Sequence, residues 1–149
     1  MTNYWIIIAR RKDQKLEDAS DYIMDNNIWD FVSSNNDESR TPSNARKLHN
    51  GEKVLFYLSA KDREGKKLSE YPYPIFFARA TLGSDFIDYD NDSGYEKFVR
   101  LNDIKIFPKP IEVNNPKKRY GIGATGPIMI AQIDKERYES ACKKANVDP

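Results

Sequence analysis

Residues 4–9 constrain the fold of this chain most strongly, because they are apolar at every position. Successive side chains of a β-strand point to opposite faces of a sheet, so a strand that is apolar throughout must be covered on both faces. The segment therefore predicts a central strand with other elements packed on each side of it. Trp5 within it is predicted to be a core residue.

Other apolar runs predict a sheet around this strand. Two of them, rich in Val, Leu, Phe and Ala, are predicted to pair as a hairpin across a long charged connection. A later run is predicted to end at Pro108 and Pro110, because proline cannot donate a hydrogen bond to a strand ladder. These predicted strands cover residues 53–58, 75–82, 97–107 and 128–133.

Helical patterns occupy the gaps between the strand patterns. Leu16, Ala19 and Ile23 recur at helical spacing, and Asp134 is a predicted N-cap. The predicted helices cover residues 15–25, a short segment ending before Asn50, and residues 134–145. Strands outnumber helices without alternating strictly with them, so the chain is predicted to be α+β, with a small mixed sheet or barrel flanked by short helices.

Composition bounds the organisation of the chain. Its 149 residues, of which 39% are hydrophobic and 32% charged, predict one globular domain over residues 1–149. The sequence has neither an apolar run of membrane-spanning length nor a signal-peptide pattern, so we expect a cytoplasmic protein with no membrane partner. The single cysteine, Cys142, and the single histidine, His49, predict neither a disulfide nor a metal centre, and no cofactor is expected.

Positive charge is concentrated locally rather than overall. The net charge is +1 and the pI is about 7.7, which is not the strongly basic balance of a sequence-independent DNA-binding protein. Basic clusters nevertheless follow the first predicted strand and precede a glycine-rich segment. Arg10, Lys117, Lys118 and Arg119 are therefore the predicted phosphate-binding residues.

Three motifs resemble other kinds of site but lack the required context. Residues 121–126, GIGATG, match a dinucleotide-binding loop but follow no apolar strand and precede Pro127. Residues 88–99 resemble a calcium loop without its final glutamate. His49 lies in a helix-end pattern and is expected to serve a helix C-terminus rather than catalysis. No pair of carboxylates is spaced for acid–base chemistry, so the chain is expected not to be an enzyme.

Trp29 is the strongest candidate for ligand binding. It precedes the polar run Ser33-Ser34-Asn35, so one edge can be buried while a face stays open to stack on a nucleobase. Packing of Trp29 in the core is the alternative. In the stacking interpretation, Trp29→Ala is expected to remove base binding and leave the fold intact.

Several segments together resemble the EVE domain. They are Tyr4-Trp5-Ile6-Ile7-Ile8, Ile28-Trp29-Asp30-Phe31, the stretch from Asn50 to Tyr57, Phe77-Ala78-Arg79-Ala80-Thr81, and Lys117-Lys118-Arg119-Tyr120 with the helix start after Ile133. The resemblance covers residues 3–145. Gly51-Glu52 stands where many members have Gly-Asp, a difference expected to affect the turn more than the pocket.

The resemblance implies a PUA-like fold, a small β-barrel with peripheral helices, related to the YTH domains that read methylated adenine in RNA. It also implies a cage for a modified base, in which Trp29 with Ser33 and Ser34 matches the family's tryptophan and polar loop. Tyr57, Tyr120 and Phe31 could each supply the second wall, and Tyr120 beside Gly121 is favoured. The predicted pocket is Trp29, Phe31, Ser33, Ser34, Asn35, Tyr57, Tyr120 and Gly121.

The sequence thus favours a non-catalytic module that binds modified RNA or DNA and holds one base in an aromatic pocket. Two alternatives stay open. An RNA-modifying or RNA-processing enzyme on the same scaffold would need catalytic side chains such as Lys53 or Asp30. A regulatory protein that binds a small metabolite would show little dependence of affinity on salt, because it would make no phosphate contacts.

Overall fold

The computed structural model describes residues 2–9, 15–31, 44–62, 64–91, 94–122 and 130–149. Within these ranges seven strands and three α-helices form one mixed sheet with flanking helices. In chain order they are β1 (Tyr4–Ile8), α1 (Leu16–Asn26), β2 (Ile28–Asp30), β3 (Lys53–Leu58), β4 (Ile75–Leu82), β5 (Ile87–Asn91), β6 (Gly94–Glu112), α2 (Pro116–Tyr120), β7 (Ile130–Ile133) and α3 (Lys135–Lys144), with a 3-10 helix at Ala45–Lys47 before β3.

The sheet order is β2-β6-β4-β3-β1-β7, and β5 also pairs with β6. Only the β1–β3 pair is parallel among the described pairs; every other pair is antiparallel. Strand β1 lies between β3 and β7, as the apolar run of residues 4–9 predicts for a central strand. Strands β3 and β4 have the predicted bounds and form the predicted hairpin.

The sheet separates two hydrophobic clusters. Alternate residues of β1 and β3 enter different clusters: Ile7 and Phe56 lie in one, while Ile6 and Leu55 lie in the other. We call the first the α1-side cluster, because α1 contributes to it. The second contains residues of α3 and is the α3-side cluster. Covering both faces explains why β1 and β3 carry almost no polar side chain.

Strand β6 continues past the two prolines that were expected to end it. It runs for 19 residues, to Glu112. The register of β6 against β4 shifts between the pairs Ala78–Ile106 and Phe76–Ile111. Pro108 and Pro110 lie in that irregularity, where no ladder donor is required. The predicted end at Phe107 is therefore wrong.

Three elements were not predicted as such. The segment that contains Trp29 forms β2, and the acidic stretch that resembles a calcium loop contributes β5. The basic stretch before the glycines forms the short helix α2, with Pro116 at its start and Gly121 as its C-cap at φ +72°. Proline at a helix start and glycine after its end are the favoured residues at those positions.

The Glu52 side chain connects β1 to the turn before β3 by hydrogen bonds. This residue is 4% exposed. Its Oε1 accepts hydrogen bonds from the Trp5 indole Nε1 at 3.0 Å and from the His49 backbone N–H at 2.8 Å, and its Oε2 accepts from the Asn3 backbone N–H at 3.2 Å. Trp5 is 1% exposed, which confirms the prediction that it is a core residue.

No described helix is long or apolar enough to cross a membrane.

Candidate functional site

Trp29 and Phe31 enter the α1-side cluster from strand β2 and the residue that follows it. Trp29 lies opposite Val99 of β6, and the Phe31 backbone N–H donates to the Lys97 carbonyl oxygen at 2.7 Å. Trp29 is 1% exposed and Phe31 3% exposed. Both predicted pocket residues are therefore held by the sheet on one face.

Trp29 packs as a core residue, which is the second of the two sequence interpretations. Its ring centre lies 5.8 Å from that of Tyr22 and 5.7 Å from that of Phe56. The Tyr22 hydroxyl donates to Asp30 Oδ1 at 2.8 Å and so fixes Tyr22 beside the indole. Removing such a side chain to alanine typically costs about 3–5 kcal/mol, so the expectation that Trp29→Ala leaves the fold intact does not hold.

Three residues of the α1-side cluster adjoin segments that lie outside the described residues. Ala9, Phe31 and Ile130 all belong to the α1-side cluster, and they adjoin the segments 10–14, 32–43 and 123–129 in sequence. Asn44, the first described residue after segment 32–43, donates from its side-chain Nδ2 to the Ile130 carbonyl oxygen at 3.0 Å. Four of the predicted site residues, Arg10, Ser33, Ser34 and Asn35, lie outside the described residues.

A charged cluster beside Phe31 was not identified from the sequence. Lys97 of β6 is only 5% exposed, and Asp88 of β5 is its cross-strand partner. Arg46 Nη2 contacts Asp88 Oδ2 at 2.8 Å. The signal in the sequence was the alternation of Lys97 with Val99 and Leu101, which places the lysine on the core face of the strand.

Phe86 completes the aromatic surroundings of this cluster. Its ring centre lies 6.1 Å from that of Phe31, and the guanidinium carbon of Arg46 lies 5.7 Å from the centre of the Phe86 ring. Such a cation–π contact is favourable by about 0.5–1 kcal/mol at an exposed site. This group of residues thus combines the rings of Phe31 and Phe86 with the cations of Lys97 and Arg46 and the carboxylate of Asp88.

The structure does not bring Tyr57, Tyr120 and Gly121 together with Trp29. Tyr57 and Tyr120 pack against Phe76 in the α3-side cluster, at ring separations of 6.1 and 5.6 Å. Gly121 caps α2 there, its N–H donating to the Lys117 carbonyl oxygen at 3.0 Å. The described residues of the predicted pocket are therefore divided between opposite faces of the sheet.

Lys117, Lys118 and Arg119 are exposed on α2 at the α3-side face. Beside them lies a groove of about 290 Å³, where the guanidinium carbons of Arg119 and Arg137 lie 5.8 and 5.9 Å from the centre of the Tyr120 ring. The charged residues lining the groove are Arg119, Arg137, Lys144, Glu112, Asp134 and Glu136. Cations and carboxylates are balanced there, so the groove itself has no excess of positive charge.

The candidate catalytic side chains are engaged in structural hydrogen bonds. Lys53 Nζ donates to Thr81 Oγ1 at 2.9 Å, and Asp30 accepts from Tyr22. Burial raises the pKa of the Cys142 thiol, which keeps it in the weakly nucleophilic protonated form. Within the described ranges no three His, Cys, Asp or Glu residues form a group that could hold a metal ion.

His49 contacts a carboxylate rather than a helix end. Its Nδ1 lies 3.5 Å from Asp85 Oδ1, and the Asn50 backbone N–H donates to the same oxygen at 2.9 Å. The Asn50 hydrogen bond, assisted by His49, lowers the pKa of Asp85. The expected role of His49 at a helix C-terminus is replaced by this turn contact, because the preceding 3-10 helix already ends at Lys47.

Solved structures share the fold of this chain, although its sequence matches neither a family model nor a curated protein. Atu2648 from Agrobacterium tumefaciens matches with a TM-score of 0.59 and 12% identity, over 99% of this chain and 97% of that one. Human THYN1, solved in complex with DNA containing 5-methylcytosine, matches with a TM-score of 0.58 and 13% identity, over 99% and 100%. Rpa0253 from Rhodopseudomonas palustris matches with a TM-score of 0.54 and 11% identity, over 97% and 94%.

These matches confirm the predicted fold class. The chain has an α+β, PUA-like fold of the THYN1 type, with a mixed sheet and short helices. The matches extend over nearly the whole of each chain, so the likeness includes both faces of the sheet and not only a shared substructure.

Proposed function

We propose that this chain is an EVE-type, non-catalytic module that binds nucleic acid and accommodates one modified nucleobase. The observation that supports this most strongly is the full-length likeness of its fold to THYN1, a protein solved with DNA containing 5-methylcytosine. Fold alone does not determine function, so the proposal also depends on the residues of the α1-side cluster and their charged neighbours. There Trp29 and Phe31 are held by β2 and β6 beside buried and exposed cations.

In this proposal Trp29 and Phe31 form the aromatic wall against which the base packs. Both rings are buried, so the proposal requires neighbouring side chains to move apart and admit the base. Stacking of a base on an aromatic side chain contributes about 1–3 kcal/mol and tolerates different bases, so polar groups must supply selectivity. Ser33, Ser34 and Asn35 are proposed for the base edge, and Arg10 for phosphate. Lys117, Lys118 and Arg119 lie at the α3-side face of the sheet. They are proposed to contact phosphates further along the bound nucleic-acid strand. Tyr57, Tyr120 and Gly121 take no part in the base pocket, because they lie across the sheet.

The test is binding of the purified protein to matched DNA and RNA oligonucleotides with unmodified, methylated or hydroxymethylated bases. We expect tighter binding to one modified base, and affinity that falls as salt rises because phosphate contacts release counterions. Equal affinity for modified and unmodified probes, or affinity insensitive to salt, contradicts the proposal. The second of these results would favour a small-molecule ligand.

The two tryptophans provide a matched pair of variants. Trp29→Phe is expected to weaken binding of the preferred modified base by about fivefold, the loss of roughly 1 kcal/mol of stacking. Trp5→Phe is the control, since Trp5 is equally buried in the same cluster but contacts Glu52. Equal loss of affinity in both variants would show a general effect on the fold and would remove Trp29 from the site.

A further inference from the structure

The long connection between β3 and β4 contains a turn that places two lysines side by side. We call residues 60–62 and 64–68 the lysine turn. In it Lys61 pairs with Lys67 across an antiparallel bridge. Two backbone hydrogen bonds flank the pair, from the Leu68 N–H to the Ala60 carbonyl oxygen at 3.0 Å and from the Asp62 N–H to the Lys66 carbonyl oxygen at 2.9 Å. A pair flanked in this way does not exchange hydrogen bonds itself, and its side chains are the closer of the two kinds of antiparallel pair.

Side-chain and backbone contacts hold the lysine turn in one conformation on the fold. Asp62 Oδ1 accepts from the backbone N–H groups of Glu64 and Lys66 at 2.9 and 2.8 Å. Leu68 is 6% exposed and belongs to the α1-side cluster. Its carbonyl oxygen accepts from the Leu16 N–H at 2.9 Å, which attaches the turn to the start of α1. The two lysines are therefore positioned before any ligand arrives.

The position of the two ammonium groups is unfavourable without an anion. Lys61 and Lys67 are both exposed, and like charges directly opposite each other in a ladder repel. None of the ion pairs among the described residues includes either lysine. An anionic group that contacts both ammonium groups offsets this repulsion.

The lysine turn lies at the same edge of the sheet as α2. Strands β3 and β6 run in the same direction, because β4 is antiparallel to both. The lysine turn follows the C-terminal end of β3, and α2 follows the C-terminal end of β6. The Val113 N–H donates to the Pro74 carbonyl oxygen at 2.9 Å and so joins the two connections.

Positive charge is concentrated at this edge. Segments 59–74 and 113–122 together contain seven lysines and arginines against three aspartates and glutamates. At the opposite edge, segments 44–52 and 83–91 contain two against four. A chain with a net charge of only +1 therefore has one edge that attracts a polyanion.

A nucleic acid bound as proposed must cross an edge of the sheet, because the base pocket and α2 lie on opposite faces. The lysine turn contacts the α1-side cluster and is joined to the connection that leads to α2. Tyr71 and Tyr73 follow it, half-buried against the same cluster, with ring centres 5.8 Å apart. Cations that track a phosphate backbone beside aromatic rings are typical of proteins that bind nucleic-acid strands.

We infer that Lys61 and Lys67 form a phosphate-binding site that guides the bound nucleic acid over this edge, between the base pocket and α2. The inference rests on the proposed function. Each ammonium group donates to phosphate oxygens and accepts nothing, so phosphodiester anions are complementary to both. The site contributes affinity for nucleic acid of any sequence, because phosphate contacts carry no sequence information.

The test measures fluorescence anisotropy with duplex DNA that contains 5-methylcytosine or unmodified cytosine, over a series of salt concentrations. Lys61→Gln/Lys67→Gln is expected to make the slope of log K against log salt less steep by about 1.8, since each lost phosphate contact removes about 0.9. Lys67→Gln alone should remove about half of that. The control is Lys47→Gln/Lys135→Gln, which removes two exposed lysines at the opposite edge and should leave the slope unchanged.

An unchanged slope in Lys61→Gln/Lys67→Gln or in Lys67→Gln overturns the inference, as does an equal change in the control. The single variant decides the question where the double variant does not fold. Tight binding of polyglutamate that depends on the same two lysines would overturn the assignment to nucleic acid. Failure of the proposed function looks different, because the wild type would then bind no modified probe better than unmodified DNA. Preference for a modified base with an unchanged slope leaves the proposed function standing and removes only the lysine turn.

Discussion

At the scale of single residues, a few buried polar side chains connect separate elements of the fold by hydrogen bonds. Arg79 is 2% exposed and donates from Nε to the Asp148 carbonyl oxygen at 2.6 Å and from Nη1 to Asp103 Oδ2 at 3.0 Å. It ties β4 to β6 and to the C-terminal segment. Glu52 likewise ties the N-terminal end of β1 to the turn before β3, through Asn3, Trp5 and His49. Buried polar groups of this kind are retained because each finds a partner.

Replacing Glu52 by alanine is expected to lower the free energy of unfolding by about 3 kcal/mol, because the buried indole N–H of Trp5 and the partly buried backbone N–H of His49 lose their acceptor. Glu52→Gln should cost clearly less. An amide oxygen at the Oε1 position still accepts from both donors, and only the contact with the Asn3 N–H is lost. Urea denaturation of the two variants measures the difference. Exposed Glu136→Ala serves as the control, and equal losses in Glu52→Ala and Glu52→Gln would contradict this assignment of acceptors.

At the scale of elements, the sequence predicted the strands and helices that are marked by a regular spacing of apolar residues or by a capping residue. Residues 53–58 and 75–82 form β3 and β4 with the bounds that the sequence predicted. Both faces of these strands are buried, so the apolar pattern extends over the whole of each strand. Strand β2 was not predicted, because it is only three residues long and precedes a polar run, which is too short for an alternating pattern to be recognised. Strand β6 was cut short because the sequence does not show that Pro108 and Pro110 fall at a register shift, where ladder donors are not needed.

Helix α3 illustrates a predicted cap that can be tested separately from the sheet. Asp134 Oδ1 accepts from the Arg137 backbone N–H at 2.8 Å, as expected for an N-cap, and Oδ2 contacts Arg137 Nη1 at 2.8 Å. Asp134→Ala is expected to cost about 1 kcal/mol of unfolding free energy. Asp134→Asn should stay close to wild type, since asparagine caps as well as aspartate and the exposed ion pair contributes little. A large loss in Asp134→Asn would show that the ion pair, not the cap, stabilises the helix.

At the scale of the whole molecule, the sequence predicted the fold class and the importance of aromatic residues, but not their distribution between two faces. A period of two shows that Phe56 and Tyr57 point in opposite directions, yet only the tertiary pairing reveals that Trp29 joins Phe56. That pairing separates Tyr57 and Tyr120 from the proposed base pocket. Lys97 was overlooked for the same reason, since its neighbours Phe31 and Asp88 come from distant parts of the chain.

The central claim is that a modified base meets this protein at Trp29, on the α1-side face. The chain has only two tryptophans, so labelling with 5-fluorotryptophan gives one ¹⁹F NMR resonance for Trp29 and one for Trp5. The Trp29→Phe and Trp5→Phe variants assign them. On titration with an oligonucleotide containing 5-methylcytosine, the account predicts that the Trp29 resonance shifts and that the Trp5 resonance stays in place. Saturable binding that shifts only Trp5, or neither tryptophan, would contradict it.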